Sequence, residues 1–225
     1  PFVDLTGIAS FLKEFSSPRC YLDFECVSME LSPWECVPFE QIPFQYSMHV
    51  QTDRLEHYSY LHLNTTNDPL SDPRCALAES LVHNAPKGTF LAHHASFERR
   101  VLHALETYLS RIGRTTLAKA LQRIQRNIID LEDVFKKWYI DPEFLGSTSL
   151  KKIQPILAPA RSYAALEGCV ADGQKASDVY AMWVTQPQEA FRVHRQRVAL
   201  LEYCRLDTMV MVDIVEFLEK IVKGK

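Results

Sequence analysis

The run Tyr21-Leu22-Asp23-Phe24-Glu25-Cys26-Val27 constrains the fold more than any other stretch of the chain. It is short, rich in β-formers and apolar apart from two acids, so it reads as a strand. Side chains on a strand alternate between faces. Leu22 and Phe24 therefore enter a core, and Asp23 and Glu25 share the opposite face. Two carboxylates side by side on a central strand repel and lose hydration, which raises a pKa and costs stability. Two arrangements resolve this. Either that face lies at an edge open to water, or a divalent cation takes up the carboxylate oxygens. An isolated D-x-E fits the first better; the company it keeps along this chain favours the second.

With 225 residues, 47% apolar and 24% charged, the chain has enough material for one large globular domain, taken as 1–225. The net charge of −3 provides no bulk electrostatic case for a nucleic-acid partner. It does not argue against one, because acids gathered at a metal site offset a basic rim in such a count. The six cysteines form no C-x-x-C pair and no zinc-spaced cluster, so a reducing, cytoplasmic setting is expected. No apolar run reaches membrane-spanning length and no signal peptide is visible, so no membrane partner is expected. The chain begins at Pro1, which reads as a piece of a longer protein with an additional domain.

Helical spacing of Ile8, Phe11, Leu12 and Phe15 predicts a helix over 5–15, ahead of the acidic strand. Residues 28–42 carry Pro33 and Pro38 and read as a long loop beside that strand, where loops commonly wall a site. Stretches 44–50 and 55–63 alternate and are joined by the Thr52-Asp53 turn, which completes an antiparallel meander. Asp72-Pro73 opens a helix, 89–93 is a short buried strand, and Ser96 is the expected N-cap of a helix over 97–110. A helix over 115–126 carries basic residues on a face best read as solvated. A strand at 127–131 and helices near 132–138, 149–157, 175–183 and 189–220 complete the chain. The expected fold is α/β: a mixed five-stranded sheet, three antiparallel meander strands then two parallel, flanked by helices.

Three more residues can join Asp23 and Glu25. Glu98 falls in the first turn after a strand–helix junction, where the helix dipole alone would favour an acid. Tyr203 and Asp207 are four apart on the last helix and share one face, flanked by Leu200, Val210 and Met211. An inward Asp needs a partner. Arg100 or Arg205 would serve, and so would a metal.

D-x-E on a first strand, an acid after a strand–helix turn, and Y-x-x-x-D on a C-terminal helix resemble the motifs of DEDD-type 3′–5′ exonucleases, tyrosine branch. That superfamily includes proofreading domains of bacterial DNA polymerases, ribonuclease D and ribonuclease T. The strings QIPFQYS (41–47), ASFE (95–98) and EYCRLDT (202–208) resemble more closely a bacterial family of uncharacterised function assigned to this superfamily by its motifs. Asn127-Ile128-Ile129-Asp130-Leu131 and the later Ser149-Leu150-Lys151 also look like the superfamily's segment between its second and third acidic motifs. Two positions depart from the wider pattern: Glu98 stands where Asp is usual, and His94 where Asn is usual. Glu202, five residues before Asp207, excludes the histidine branch.

The resemblance implies a ribonuclease H-like fold and two-metal hydrolysis of single-stranded DNA or RNA with Mg2+ or Mn2+, releasing 5′-mononucleotides. It implies Asp23 as the bridging ligand, Glu25 and Asp207 completing the metal shells, Glu98 binding directly or through water, and Tyr203 orienting the attacking water. His94 and Phe97 are the expected nucleic-acid contacts, with Phe97, or an aromatic of the Trp34/Phe39 loop, stacking on a base. An inward Phe97 would equally serve as core. The competing reading is a catalytically silent ribonuclease H-like module that binds nucleic acid or a partner, favoured by His94 and Glu98. A third, an unrelated α/β domain with chance acids, requires four coincidences in the right order.

Overall fold

The computed structural model describes residues 1–63, 70–163, 172–186 and 190–224. Its centre is a five-stranded sheet of β2 (Arg19–Val27), β3 (Ile42–Gln51), β4 (Leu55–Leu61), β5 (Thr89–Ala92) and β6 (Ile128–Asp130), in the order β4-β3-β2-β5-β6. β3 runs antiparallel to both β2 and β4, whereas β5 and β6 run parallel to β2. A separate ribbon of β1 (Phe2–Val3) and β7 (Tyr139–Ile140), two residues each, is too short for any sequence period to announce.

Eight helices among the described residues flank the sheet: α1 (Leu5–Leu12), α2 (Pro73–Asn84), α3 (Ser96–Arg111), α4 (Thr115–Arg126), α5 (Glu132–Lys137), α6 (Leu150–Leu157), α7 (Gly173–Thr185) and α8 (Ala190–Val222). The alternation of β2 sorts them. Cys20, Leu22, Phe24 and Cys26 pack with Leu77, Leu102, Leu105 and Leu121 of α2, α3 and α4 on one face. Tyr21 packs on the other face with Ile8, Val210, Met211 and Ile214 of α1 and α8. Val27 joins Phe44, Tyr180, Leu200 and Tyr203, which brings α7 against the same face. Asp23 and Glu25 thus point under α7 and α8.

β3 departs from simple alternation. The register slips between Glu25 and Cys26, whose partners are Gln45 and Pro43, leaving Phe44 unpaired. Such a bulge turns successive residues to the same side. Gln45 and Phe44 both serve the α7–α8 face, where Gln45 donates to the Leu200 carbonyl (2.7 Å) and Phe44 stacks on Tyr180 at 4.0 Å. A proline is tolerated inside this strand because it sits at the bulge.

One expected cap is not found. Ser96 is the first residue of α3 rather than its N-cap, and the preceding Ala95 offers no capping side chain. The β5–α3 turn is closed from β6 instead. Asp130 Oδ1 accepts from the His94 and Glu132 backbone N–H groups, both at 3.0 Å. His94 stands at φ 66°, in the left-handed region that a sharp reversal needs. Among the described residues, no helix is long and apolar enough to cross a membrane.

Candidate active site

Two elements far apart in sequence build the site. β2 supplies Asp23 and Glu25; α8 supplies Tyr203, Cys204 and Asp207. The 33-residue α8 could slide along the sheet if only apolar contacts held it. Buried polar contacts fix its register. Thr208 Oγ1 lies 2.9 Å from Ser47 Oγ and 2.8 Å from His49 Nδ1, one residue beyond Asp207. Burial, and then His57 beside it, push the His49 imidazole down to about 3. It is therefore neutral at physiological pH and suited to a buried hydrogen bond.

Asp23, Glu25, Phe97, Tyr203 and Asp207 line one cavity of about 320 Å3, with Gly173 of α7 on its rim. Glu25 is only 5% exposed and Glu98 only 3%. The Glu98 side chain does not line the cavity, but its charge pushes Glu25 up and is itself opposed by Asp23. Its Oε2 is buried with no hydrogen-bond partner. A carboxylate in that state is costly unless something satisfies it.

Burial is the main force on all four acids. It raises the Asp23 carboxyl well above the usual range; Asp207 pushes the same way, and the Cys204 thiol opposes. Glu25 is raised by burial and by Asp23 and Asp207, with Lys151 opposing. Glu98 is raised by burial and then by Asp23. Asp207 is raised to about 6 by burial, and hydrogen bonds from Tyr163 and Tyr203 together with the charge of Lys151 hold it from rising further. Tyr163 donates to Asp207 Oδ1 at 2.5 Å. The two phenols are themselves pushed up, by burial first and Asp207 second, so they stay neutral donors.

These residues fit a hard divalent cation. Carboxylate oxygens dominate the donor set, Asp23 and Asp207 each push a neighbouring acid up, and a buried oxygen of Glu98 lacks a partner. Neither arginine considered as a partner for Asp207 pairs with it: Arg205 binds Glu202 at 3.3 Å, and Arg100 lies 6.0 Å from the Phe97 ring.

The nucleic-acid contacts divide. Phe97 is half-buried and faces the cavity. His94 does not line it; its Nδ1 lies 3.0 Å from Glu132 Oε2. Trp34 is buried, with its indole N–H donating to the Leu70 carbonyl at 2.8 Å, and Phe39 is 63% exposed. Neither lines the cavity.

Three contributors escaped the sequence reading. Lys151 Nζ lies 5.0 Å from the Tyr203 ring centroid and 5.8 Å from that of Tyr163, within reach of cation–π attraction. Ser149-Leu150-Lys151 resembled a superfamily segment but suggested no role. Cys204 was hidden between Tyr203 and Asp207, although its offset of three from Asp207 puts it near that face. Tyr163 follows α6 in an irregular stretch and carried no periodic signal.

Residues 20–149 match the model of the family described as Domain of unknown function (DUF2779), more than half of the chain, and the chain belongs to that family. The matched segment contains Asp23, Glu25, His94, Phe97 and Glu98, and ends before Tyr203 and Asp207. No curated protein and no solved structure matches the chain.

Proposed function

We propose that this protein is a metal-dependent 3′–5′ exonuclease of ribonuclease H-like fold that shortens single-stranded nucleic acid. The observation that carries this reading is the convergence of Asp23, Glu25 and Asp207 on one cavity, each carboxyl raised by burial, with Tyr203 beside them. The order of these residues along the chain, with Glu98 between them, is the order in the exonucleases the sequence resembles.

Asp23, Glu25 and Asp207 would hold the cations, with Glu98 behind them. When bound, Mg2+ or Mn2+ supplies a water activated for attack and neutralises charge on the phosphoryl and leaving oxygens. The protein's own part is positioning and charge. Tyr203 is neutral and both donates and accepts, so its hydroxyl can align a water for in-line attack without acting as a base. The Lys151 ammonium can offset phosphate charge beside the same ring. Phe97 offers a π-face to the terminal base. Ser28, Gln41, Gln174 and Ser177 also line the cavity and provide neutral hydrogen-bonding groups for a sugar or base edge.

The test is a 5′-labelled single strand, DNA and RNA in parallel, with Mn2+ or Mg2+. It should shorten as a ladder with release of 5′-mononucleotides. EDTA should stop the reaction, and so should a blocked 3′ end. Cleavage of a circular single strand would show an endonuclease. Tight binding without shortening, in either metal, would favour the silent module.

A further inference from the structure

The loop 28–41 joins the acidic strand β2 to β3, and both of its ends stand in the cleft: Ser28 and Gln41 line the cavity that holds Asp23, Glu25 and Asp207. Its neck is closed by its own backbone. The Phe39 N–H donates to the Met29 carbonyl at 2.9 Å, and the Ser28 hydroxyl donates to the Phe39 carbonyl at 3.0 Å. Two side chains tie its middle to the rest of the molecule. Trp34 is buried and donates from its indole to the Leu70 carbonyl. Arg74 of α2, only 3% exposed, holds the loop from the helical layer. Its guanidinium forks onto Asp72, with Nε 3.0 Å from Oδ1 and Nη2 2.7 Å from Oδ2. The same Nη2 donates to the Glu35 carbonyl of the loop at 3.0 Å. The group also lies 3.7 Å from the ring centroid of Tyr108 on α3, whose hydroxyl donates to Asp72. Arg111 reaches the Glu35 carboxylate at 2.7 Å, but both of those side chains are more than half exposed, and such a pair contributes little.

We infer that Arg74 is a positioning residue: with Trp34 it holds the loop 28–41 so that Ser28 and Gln41 form a preset wall of the cleft. What that wall contacts, a sugar or base edge of a single strand, rests on the exonuclease reading; the holding of the loop does not. Arg74 has a second, purely structural duty. Asp72 is the N-cap of α2 and accepts from the Arg74 backbone N–H at 3.0 Å, so the side chain also balances the charge of a capping acid. An ammonium would serve for that. Reaching the Asp72 carboxylate and the Glu35 carbonyl together, while lying flat on Tyr108, requires the planar guanidinium. With the loop held, a substrate meets a wall already in place. With it loose, binding must also order the loop, which weakens affinity and leaves the chemistry at the acids alone. Loss of the fork should therefore raise KM and spare kcat.

The test compares Arg74→Lys and Arg111→Ala with the wild type. Hydrogen–deuterium exchange is followed by mass spectrometry over 28–41. Hydrolysis of a 5′-labelled single strand with Mn2+ gives KM and kcat, and anisotropy gives the affinity for the same strand with a hydrolysis-resistant terminal phosphorothioate. In Arg74→Lys, exchange in the loop and KM should each rise at least about 10-fold, affinity should fall to match, and kcat should stay within about 3-fold. Arg111→Ala should move every quantity by no more than about twofold. Unchanged loop exchange in Arg74→Lys overturns the holding role. Faster exchange with unaltered KM and affinity, or a fall in kcat at constant KM, overturns the link from loop to substrate. A wild type that binds the strand without cutting it removes the exonuclease reading, and the loss of affinity in Arg74→Lys then decides the proposal. A wild type that neither binds nor cuts overturns both the reading and the substrate role, while the exchange comparison still decides whether Arg74 holds the loop. Should Arg74→Lys fail to fold by circular dichroism, Trp34→Phe leaves Arg74 and Asp72 in place and must change exchange and KM in the same direction; no change in either overturns the proposal.

Discussion

Asp23→Asn is expected to abolish hydrolysis and, at the same time, to make the metal-free protein more stable. The first effect follows from loss of a carboxylate that would contact both cations. Metal-based charge stabilisation amounts to several kcal/mol, so activity should fall by about 10³-fold or more. The second effect has a definite sign. The Asp23 carboxyl is raised in the folded protein, by burial first and Asp207 second. A raised carboxyl favours the folded state at pH below its unfolded value, near 4, and that contribution is lost as pH rises through the folded value. Wild-type protein without metal should therefore lose stability as pH rises from acid to mildly alkaline, and Asn at position 23 should not share that part of the loss. The melting midpoint of the variant should exceed that of the wild type at about pH 8, with the gap closing toward about pH 5. Saturating Mn2+ should reverse the order. A ligand at a hundredfold excess over its Kd adds about 2.7 kcal/mol to the form that binds it, and Asp23→Asn should forfeit most of this. Thermal melts at both pH values, with and without Mn2+, decide it. An Asn variant less stable than wild type under metal-free alkaline conditions would show that the acids are compensated without a cation.

Tyr203→Phe should lower kcat by roughly 10²-fold, the size expected of one positioned catalytic group, with little change in metal affinity. Its hydroxyl is held neutral by burial and by Asp207, so it can donate and accept but does not serve as a base. Its ring packs with Val179, Tyr180 and Leu200, a role that Phe preserves. Tyr163→Phe is the informative partner. Tyr163 donates directly to Asp207 Oδ1, so its loss should act on the carboxylate and shift the metal dependence more than kcat at saturating metal. A fully active Tyr203→Phe would make that hydroxyl structural.

The five strands of the mixed sheet and the shared face of Asp23 and Glu25 were legible because strand periodicity and Pro/Asp turn signals are local. Asp207 and Tyr203 were legible because i, i+4 spacing fixes a helix face. What escaped depends on contacts between distant segments. Pro43 is the one local hint of the bulge that lets both Phe44 and Gln45 face α8, and its register is set only by pairing with β2. The N-cap assigned to Ser96 failed because the turn is closed by Asp130, from a strand more than thirty residues on. His94, expected at nucleic acid, lies beside Glu132. Cys204 reads as one more apolar residue of α8 until the helix is laid on β2.

The most direct test of the whole account is a crystal of the protein soaked in Mn2+ and measured at the manganese absorption edge. Anomalous density in the cleft between Asp23 and Asp207, with Glu25 in its coordination shell, is the predicted result. Density confined to surface carboxylates, or a cleft in which Lys151 or another cation bridges Asp23 and Asp207 at saturating Mn2+, would contradict it.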